Sequence, residues 1–331
     1  MTAAGGLRPV LPVHSGRSVR ALTLATAVCA LPLLGAATYS LGWGVLARAV
    51  LGALAGALAD LPPLAGAGAR PRSLPARDGS GALAGFLVAL AAPIAAPLWH
   101  VPLAAALGGT LARLLAERWR GPRIHPAAIA WLVLSATTSA TPRAQLVAEL
   151  RDFPRGAGAG APGAGAGSIE TSAARVSASA LLPGLFWGER AATPAESSVL
   201  ALGCSAAALA LWGGLRWRAP VAALAAALGA ALFAAFAFRG IDSWPSGALV
   251  AAAEILAGGF PFAAVFLLSD SRSTPTRSGA AWVMGALFGA LVVLLPEVSP
   301  WARRDLTAPA LVLAQALVPW LDARPGRLGA P

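Results

Sequence analysis

Long apolar runs, rather than an alternation of apolar and polar positions, dominate the chain. Ten can be drawn, at 21–38, 43–59, 81–96, 98–116, 124–138, 198–214, 219–237, 247–268, 280–295 and 306–321. A helix crossing a bilayer needs about 20 apolar residues, so runs of this kind predict membrane-spanning helices. Several runs are shorter than that, and Ala and Gly fill most of them. Small side chains let helices approach closely, so a tight bundle with broken helices is expected. The predicted fold class is all-α: a polytopic integral membrane protein of about ten transmembrane helices.

The runs divide the chain. Residues 1–20 read as a cytoplasmic lead, 21–141 as a first membrane half, 142–197 as a non-cytoplasmic loop, 198–322 as a second membrane half and 323–331 as a cytoplasmic tail. Five spans on each side of the long loop would leave the halves inverted in the membrane, so an inverted 5+5 arrangement is expected. Within the loop, 154–168 is a Gly/Ala repeat with too little side chain to bury, and reads as a flexible insertion. Residues 180–188 are apolar but too short to span, and read as an interfacial or re-entrant piece.

Composition agrees with the pattern. Hydrophobic residues make up 57%, charged residues only 12%, and mean hydropathy is +0.69. Soluble proteins carry about 25% charged residues. The net charge of +11 would suggest nucleic acid in a soluble protein. Here every cation is Arg and the clusters separate apolar runs, which fits membrane orientation and speaks against nucleic-acid binding. Arg17 and Arg20, then Arg70, Arg72 and Arg77, Arg113 to Arg123, Arg216 and Arg218, Arg272 and Arg277, and Arg324 and Arg327 all fall on one side if both termini are cytoplasmic. The first run resembles a signal sequence, but the many runs after it favour a retained anchor. Cys29 and Cys204 lie inside apolar runs and cannot hold an iron–sulfur cluster. His14, His100 and His125 lack metal-ligand spacing, so no metal site is expected.

Candidate chemistry gathers around span five. His125-Pro126 breaks the chain at its start, and Ser135, Thr137, Thr138, Ser139 and Thr141 crowd its end. Such hydroxyls commonly end membrane helices by bonding backbone carbonyls. Asp78, Gly79 and Ser80 lead into span three. They suit either a helix start or glycine-permitted approach to a ligand. Asp270 follows span eight and suits capping, a ligand or an ion. Glu196 and Glu254 are the acids nearest the membrane interior, and ionisable groups at that depth are functional candidates. Glu196 also suits capping of span six. Most tryptophans fall near span ends, as an interfacial belt requires. Trp131 lies inside span five.

Several segments, taken in order, resemble one family. Pro12-Val13-His14-Ser15-Gly16-Arg17-Ser18, Asp78-Gly79-Ser80-Gly81, His125-Pro126-Ala127, Ser139-Ala140-Thr141-Pro142, Arg216-Trp217-Arg218-Ala219-Pro220, Gly258-Gly259 with the stretch through Asp270 to Gly279, and Pro319-Trp320-Leu321-Asp322 carry the likeness. It is the family joining the D subunit of the Rnf ion-translocating ferredoxin:NAD oxidoreductase to the B subunit of the sodium-translocating NADH:quinone reductase. The sequence departs at His125, where the family usually has Asn, and at Ser135, where an acidic residue usually stands six positions before the modified threonine. The resemblance implies FMN bound covalently through a phosphoester on Thr141, with Ser139 and Ala140 leaving room for it. Beside the capping reading, Asp78, Gly79 and Ser80 suit approach to a second flavin, and Asp270 suits contact with a flavin or the transported ion.

The function implied is a membrane subunit of an Rnf-like electron-transport complex in a bacterial inner membrane, coupled to Na⁺ or H⁺. Glu254 and Glu196 are its ion-path candidates, and flavoprotein and iron–sulfur subunits are its partners. Such a subunit belongs to a translocase and is not an enzyme alone. A small-solute transporter or channel, or a flavin-free structural subunit of the same fold, is the alternative.

Overall fold

Prolines decide where the helices begin. A first-turn proline lacks only an N–H that would have no helical partner, and its φ is already helical. A computed structural model of the chain describes residues 18–61, 78–119, 124–138, 183–184, 186–187, 193–238, 244–256, 259–298 and 306–323. Within them α1 (Val19–Cys29) and α2 (Leu31–Leu41) form one bent run, with Pro32 opening α2. Then follow α3 (Gly44–Ala59), α4 (Ser80–Ala91), α5 (His100–Trp119) and α6 (Pro126–Thr137). A 3₁₀ turn at Pro194–Glu196 leads into α7 (Val199–Leu211). Next come α8 (Arg218–Ala237), α9 (Trp244–Leu256) and α10 (Gly259–Phe262), which runs into a π-helix at Ala263–Leu267. The last are α11 (Ser278–Val298), α12 (Thr307–Ala316) and α13 (Val318–Asp322). Pro102, Pro126, Pro220, Pro245, Pro309 and Pro319 all stand in first turns.

The all-helical membrane class holds, but not as ten full-length helices. Among the described residues three helices are long and apolar enough to cross a membrane: Val19–Leu41, Arg218–Ala237 and Ser278–Val298. Counting Gly247–Leu256 with Gly259–Leu267, bent by 59°, makes four. Five further apolar helices are shorter. The expected span 81–96 shows why: α4 stops at Ala91, and Pro93 and Pro97 keep 92–99 out of the helix. Pro93 also disfavours the helical conformation at Ala92, which is extended.

Backbone-to-backbone packing explains the Gly/Ala composition. A Cβ on Gly56 would lie 2.0 Å from the Gly81 carbonyl oxygen, and one on Gly85 would lie 1.9 Å from that of Gly52. Glycines on both helices therefore bring the α3 and α4 backbones into contact. In the second half, glycines of α11 meet alanines of α8 in the same way. A Cβ on Gly285 or Gly289 would lie 2.1 Å from the Ala219 or Ala223 carbonyl oxygen. The largest fully buried side chains include Phe260, Phe262, Phe266 and Phe288, which fill the centre beside α6 and α12.

Polar contacts at the helix ends give the directions. Asp60, after α3, accepts from Gly81 N at 2.6 Å at the start of α4, and Arg113 late in α5 lies 3.9 Å from it. Gly79, beside Asp78, approaches Thr23 of α1, which accepts from Arg272 at 3.3 Å. Arg216, before α8, bonds the Pro275 carbonyl in the same 268–277 loop. The end of α3 and the start of α8 thus share one end of the bundle. Helix α3 therefore ends, and α8 begins, at that same end. At the other end of α3, buried Arg48 donates to the carbonyls of Pro93 (2.8 Å), Ile94 (2.5 Å) and Ala96 (2.6 Å). It closes the break after α4. Trp43, Trp99, Trp187, Trp212, Trp217, Trp244 and Trp320 are exposed, whereas Trp131 is buried.

Candidate functional site at the two ends of α6

Helix α6 joins the two regions where the sequence concentrates its candidates. His125 has extended backbone, and its Nδ1 accepts from Ala127 N at 3.0 Å. The imidazole itself therefore caps the helix, while Pro126 takes the first position. Ala127, Ala128, Ile129, Ala130, Trp131 and Leu134 are buried. Gly108 of α5 lets the backbones meet, since a Cβ there would fall 2.3 Å from the Ala130 Cβ. Trp131 stands edge-on to Phe262 with centroids 6.3 Å apart, so it packs against the second half.

The far end of α6 behaves as its hydroxyls predict locally. Thr137 Oγ1 bonds the Val133 and Leu134 carbonyls, Thr138 Oγ1 bonds Leu134 O at 2.9 Å, and Ser135 Oγ bonds Leu132 O. At Thr138 the chain leaves the helix with φ −90° and ψ 135°. Ser139, Ala140 and Thr141 lie outside the described residues.

At the near end a buried network crosses the two halves. His125 N donates to Gln315 Oε1 at 2.9 Å, and Gln315 Nε2 donates to Leu267 O at 3.1 Å. Because His125 Nδ1 accepts, its proton sits on Nε2, which donates to Asp270 Oδ2 at 3.2 Å. Asp270 Oδ1 accepts from Arg272 N at 3.3 Å, so the carboxylate also closes its own turn. Thr274 hydroxyl bonds the Leu268 and Asp270 carbonyls and fixes the loop. Burial pushes the Asp270 carboxyl up. The His125 hydrogen bond and the charge and N–H of Arg272 outweigh it and hold the group below its ordinary 3.8.

The remaining candidates take definite places. Gly79 has φ +68°, a left-handed conformation that favours glycine. Gly81 is held against Gly56 and Asp60, where a Cβ would fall within 2.5 Å. The local turn and the α3 contact therefore account for these glycines. Neither Asp78 nor Ser80 caps α4; Asp60 does, from twenty residues earlier in sequence. Ser198 caps α7 through Ala201 N, so that cap does not come from Glu196. Glu196 and Glu254 are both buried, at 8% and 7% exposure, in the turn before α7 and in α9. Asp78 and Asp270 come to the same end of the bundle, the former through Gly79 and Thr23, the latter through Arg272. Among the described residues no three His, Cys, Asp or Glu converge as metal ligands. Arg48, Asp60 and Gln315 were not among the sequence candidates. Of these, Arg48 and Gln315 carry a signal in the sequence: a lone cation and a lone amide within apolar spans.

Fold and ends together define an all-helical membrane protein whose halves meet through a buried polar junction. Residues 11–328 match the model of the NQR2, RnfD, RnfE family, so the chain belongs to that family. Among its relatives is the D subunit of the ion-translocating oxidoreductase complex of Vibrio atlanticus (strain LGP32), 28% identical over 337 residues, covering 93% of this chain and 94% of that one. The corresponding D subunit of Salmonella paratyphi A (strain ATCC 9150 / SARB42) is 28% identical over 340 residues, covering 93% of each. The B subunit of the Na⁺-translocating NADH-quinone reductase of Chlamydia caviae is 28% identical over 144 residues, covering 42% of this chain and 28% of that one.

Proposed function

We propose that this chain is the D-type membrane subunit of an ion-translocating electron-transport complex and carries FMN as a phosphoester on Thr141. One observation carries the reading. Ser139-Ala140-Thr141-Pro142 follows directly where α6 ends and the backbone turns extended at Thr138, in a chain matched to the family from residue 11 to residue 328. A phosphoester needs a side-chain hydroxyl that no helix turn occupies. Ser135, Thr137 and Thr138 all bond back to their own helix. Thr141 follows three residues after Thr138 in the sequence.

Bound there, flavin supplies the redox chemistry. The chain holds its attachment point at one end of α6 and the polar junction at the other. We assign the Asp78–Asp270 end to the cytoplasm, because Arg20, Arg113, Arg216, Arg218, Arg272 and Arg277 cluster there. Both termini are then cytoplasmic, the membrane is a bacterial inner membrane, and Thr141 faces outward. The partners are flavoprotein and iron–sulfur subunits. Glu254 and Glu196 are the candidates for the Na⁺ or H⁺ path, supported by their burial. We confine the proposal to one flavin, since the chain itself accounts for Gly79 and Gly81.

The test is expression with a flavin transferase, denaturation, and flavin fluorescence in the gel band. A matching mass shift is sought on the Thr141 peptide. A fluorescent parent and a dark Thr141→Ala variant are expected. A dark parent, with the transferase active on another substrate, refutes the flavin assignment and moves the chain to the transporter or structural alternative.

A further inference from the structure

Every polar atom of the junction at the start of α6 is used, and the partners come from three separate stretches of chain. His125 N meets Gln315 of α12, His125 Nδ1 meets Ala127 of its own helix, and His125 Nε2 meets Asp270 of the loop after the π-helix. Gln315 returns to Leu267, the last residue of that π-helix. The ring nitrogens therefore have different duties. Nδ1 starts the helix, which a shorter side chain such as Asn can also do, because its Oδ1 lies at the same bond distance from the backbone. Only the imidazole is long enough to reach Asp270 as well.

We propose that His125 is a positioning residue with two separable duties, and that its Nε2–Asp270 bond ties α6 to the second half and so sets where the far end of α6 lies. Three features carry this. The tie is buried on the His125 side, 6% exposed, and Asp270 is partly exposed at 23%. It joins the first half to the second across 145 residues. And α6 is an unbroken helix, about 18 Å long for its twelve residues, so a displacement at His125 is carried to Thr138. The π-helix that Gln315 holds is a rare geometry that is frequent at functional sites. The inference rests on the function proposed above for its importance to Thr141, but not for its test.

The test uses the full chain in lipid nanodiscs, without added flavin. With only three histidines in the sequence, ¹⁵N-histidine NMR is tractable, and His125→Asn identifies the His125 signals. The expected signature is a protonated Nε2 and a bare Nδ1, with the Nε2 signal displaced by Asp270→Asn. The positional readout is a cysteine at Thr138→Cys, in a Cys29→Ser, Cys204→Ser background, labelled with maleimide. Loss of one hydrogen bond to a carboxylate corresponds to about a tenfold faster labelling rate. His125→Asn and Asp270→Asn are each expected to show it, and the double variant no more than either. A protonated Nδ1, or labelling rates in both variants within twofold of the parent, overturns the inference. A parent without flavin on Thr141 would refute the proposed function and leave these readouts standing.

Discussion

Replacing Gly85 with Ala adds one methyl group at the closest approach among the described glycines. The new Cβ would stand 1.9 Å from the Gly52 carbonyl oxygen, 2.6 Å from its carbon and 3.3 Å from Ala53 N. The obstruction is backbone, which cannot rotate away. Helix α4 must withdraw from α3 by about 1.5 Å to restore an ordinary contact, and gaps of about 0.5–1 Å already forfeit a quarter to a half of the dispersion energy. Gly52, Gly56 and Gly81 lie on the same seam and lose contact with it. Against this stands the better helix propensity of alanine, worth about 0.5–1 kcal/mol. Overpacking costs about 1–3 kcal/mol, so a net loss of about 1–2 kcal/mol is expected. The assay is unfolding by SDS in mixed micelles, followed by tryptophan fluorescence. Gly203→Ala is the control, because nothing lies within 4 Å of its Cβ; it should be neutral or stabilising by up to about 1 kcal/mol. If Gly85→Ala unfolds at the same SDS fraction as Gly203→Ala, the glycine seam between α3 and α4 is wrong.

Two further outcomes follow from the polar contacts. Arg48→Met should lower stability by about 2–4 kcal/mol in the same SDS titration, because buried carbonyls lose a charged donor. Arg48→Lys should recover only part of it, since a point ammonium cannot match the fork over Pro93, Ile94 and Ala96. Full recovery by Lys would refute the fork. Asp270, held below its ordinary 3.8, contributes stability that is complete above that value and is lost as pH falls through its lower folded value. The Tm gap between the parent and Asp270→Asn should therefore be widest at neutral pH and close in acid. A gap that widens on acidification would contradict the depressed value.

The legible parts of the chain were the local ones. Apolar runs placed nearly every described helix, the His125-Pro126 breaker marked the start of α6, and the hydroxyl run marked its end. Each of these signals acts within four residues. What escaped was set by contacts between distant residues. Asp78 looked like the cap of α4, but Asp60 does that work, because the end of α3 folds back beside it. Arg48 stands alone inside an apolar run, and only the break after α4 shows which carbonyls it holds. Asp270 and His125 were each noticed, but nothing local in either segment says that they touch. The length of the helices was overstated for a different, local reason. Pro93 lay inside an apolar run, and hydropathy does not register a missing N–H.

The Arg48 clamp also constrains how the protein is made. Its carbonyl partners lie 45 to 48 residues further along the chain. At ordinary synthesis rates they emerge from the ribosome about 2–10 s after the arginine. During that interval α3 carries a cation with no acceptor, and the hydrocarbon interior rejects such a segment. The position of Arg48 in α3 is therefore expected to be fixed only once α4 and its break have supplied those carbonyls.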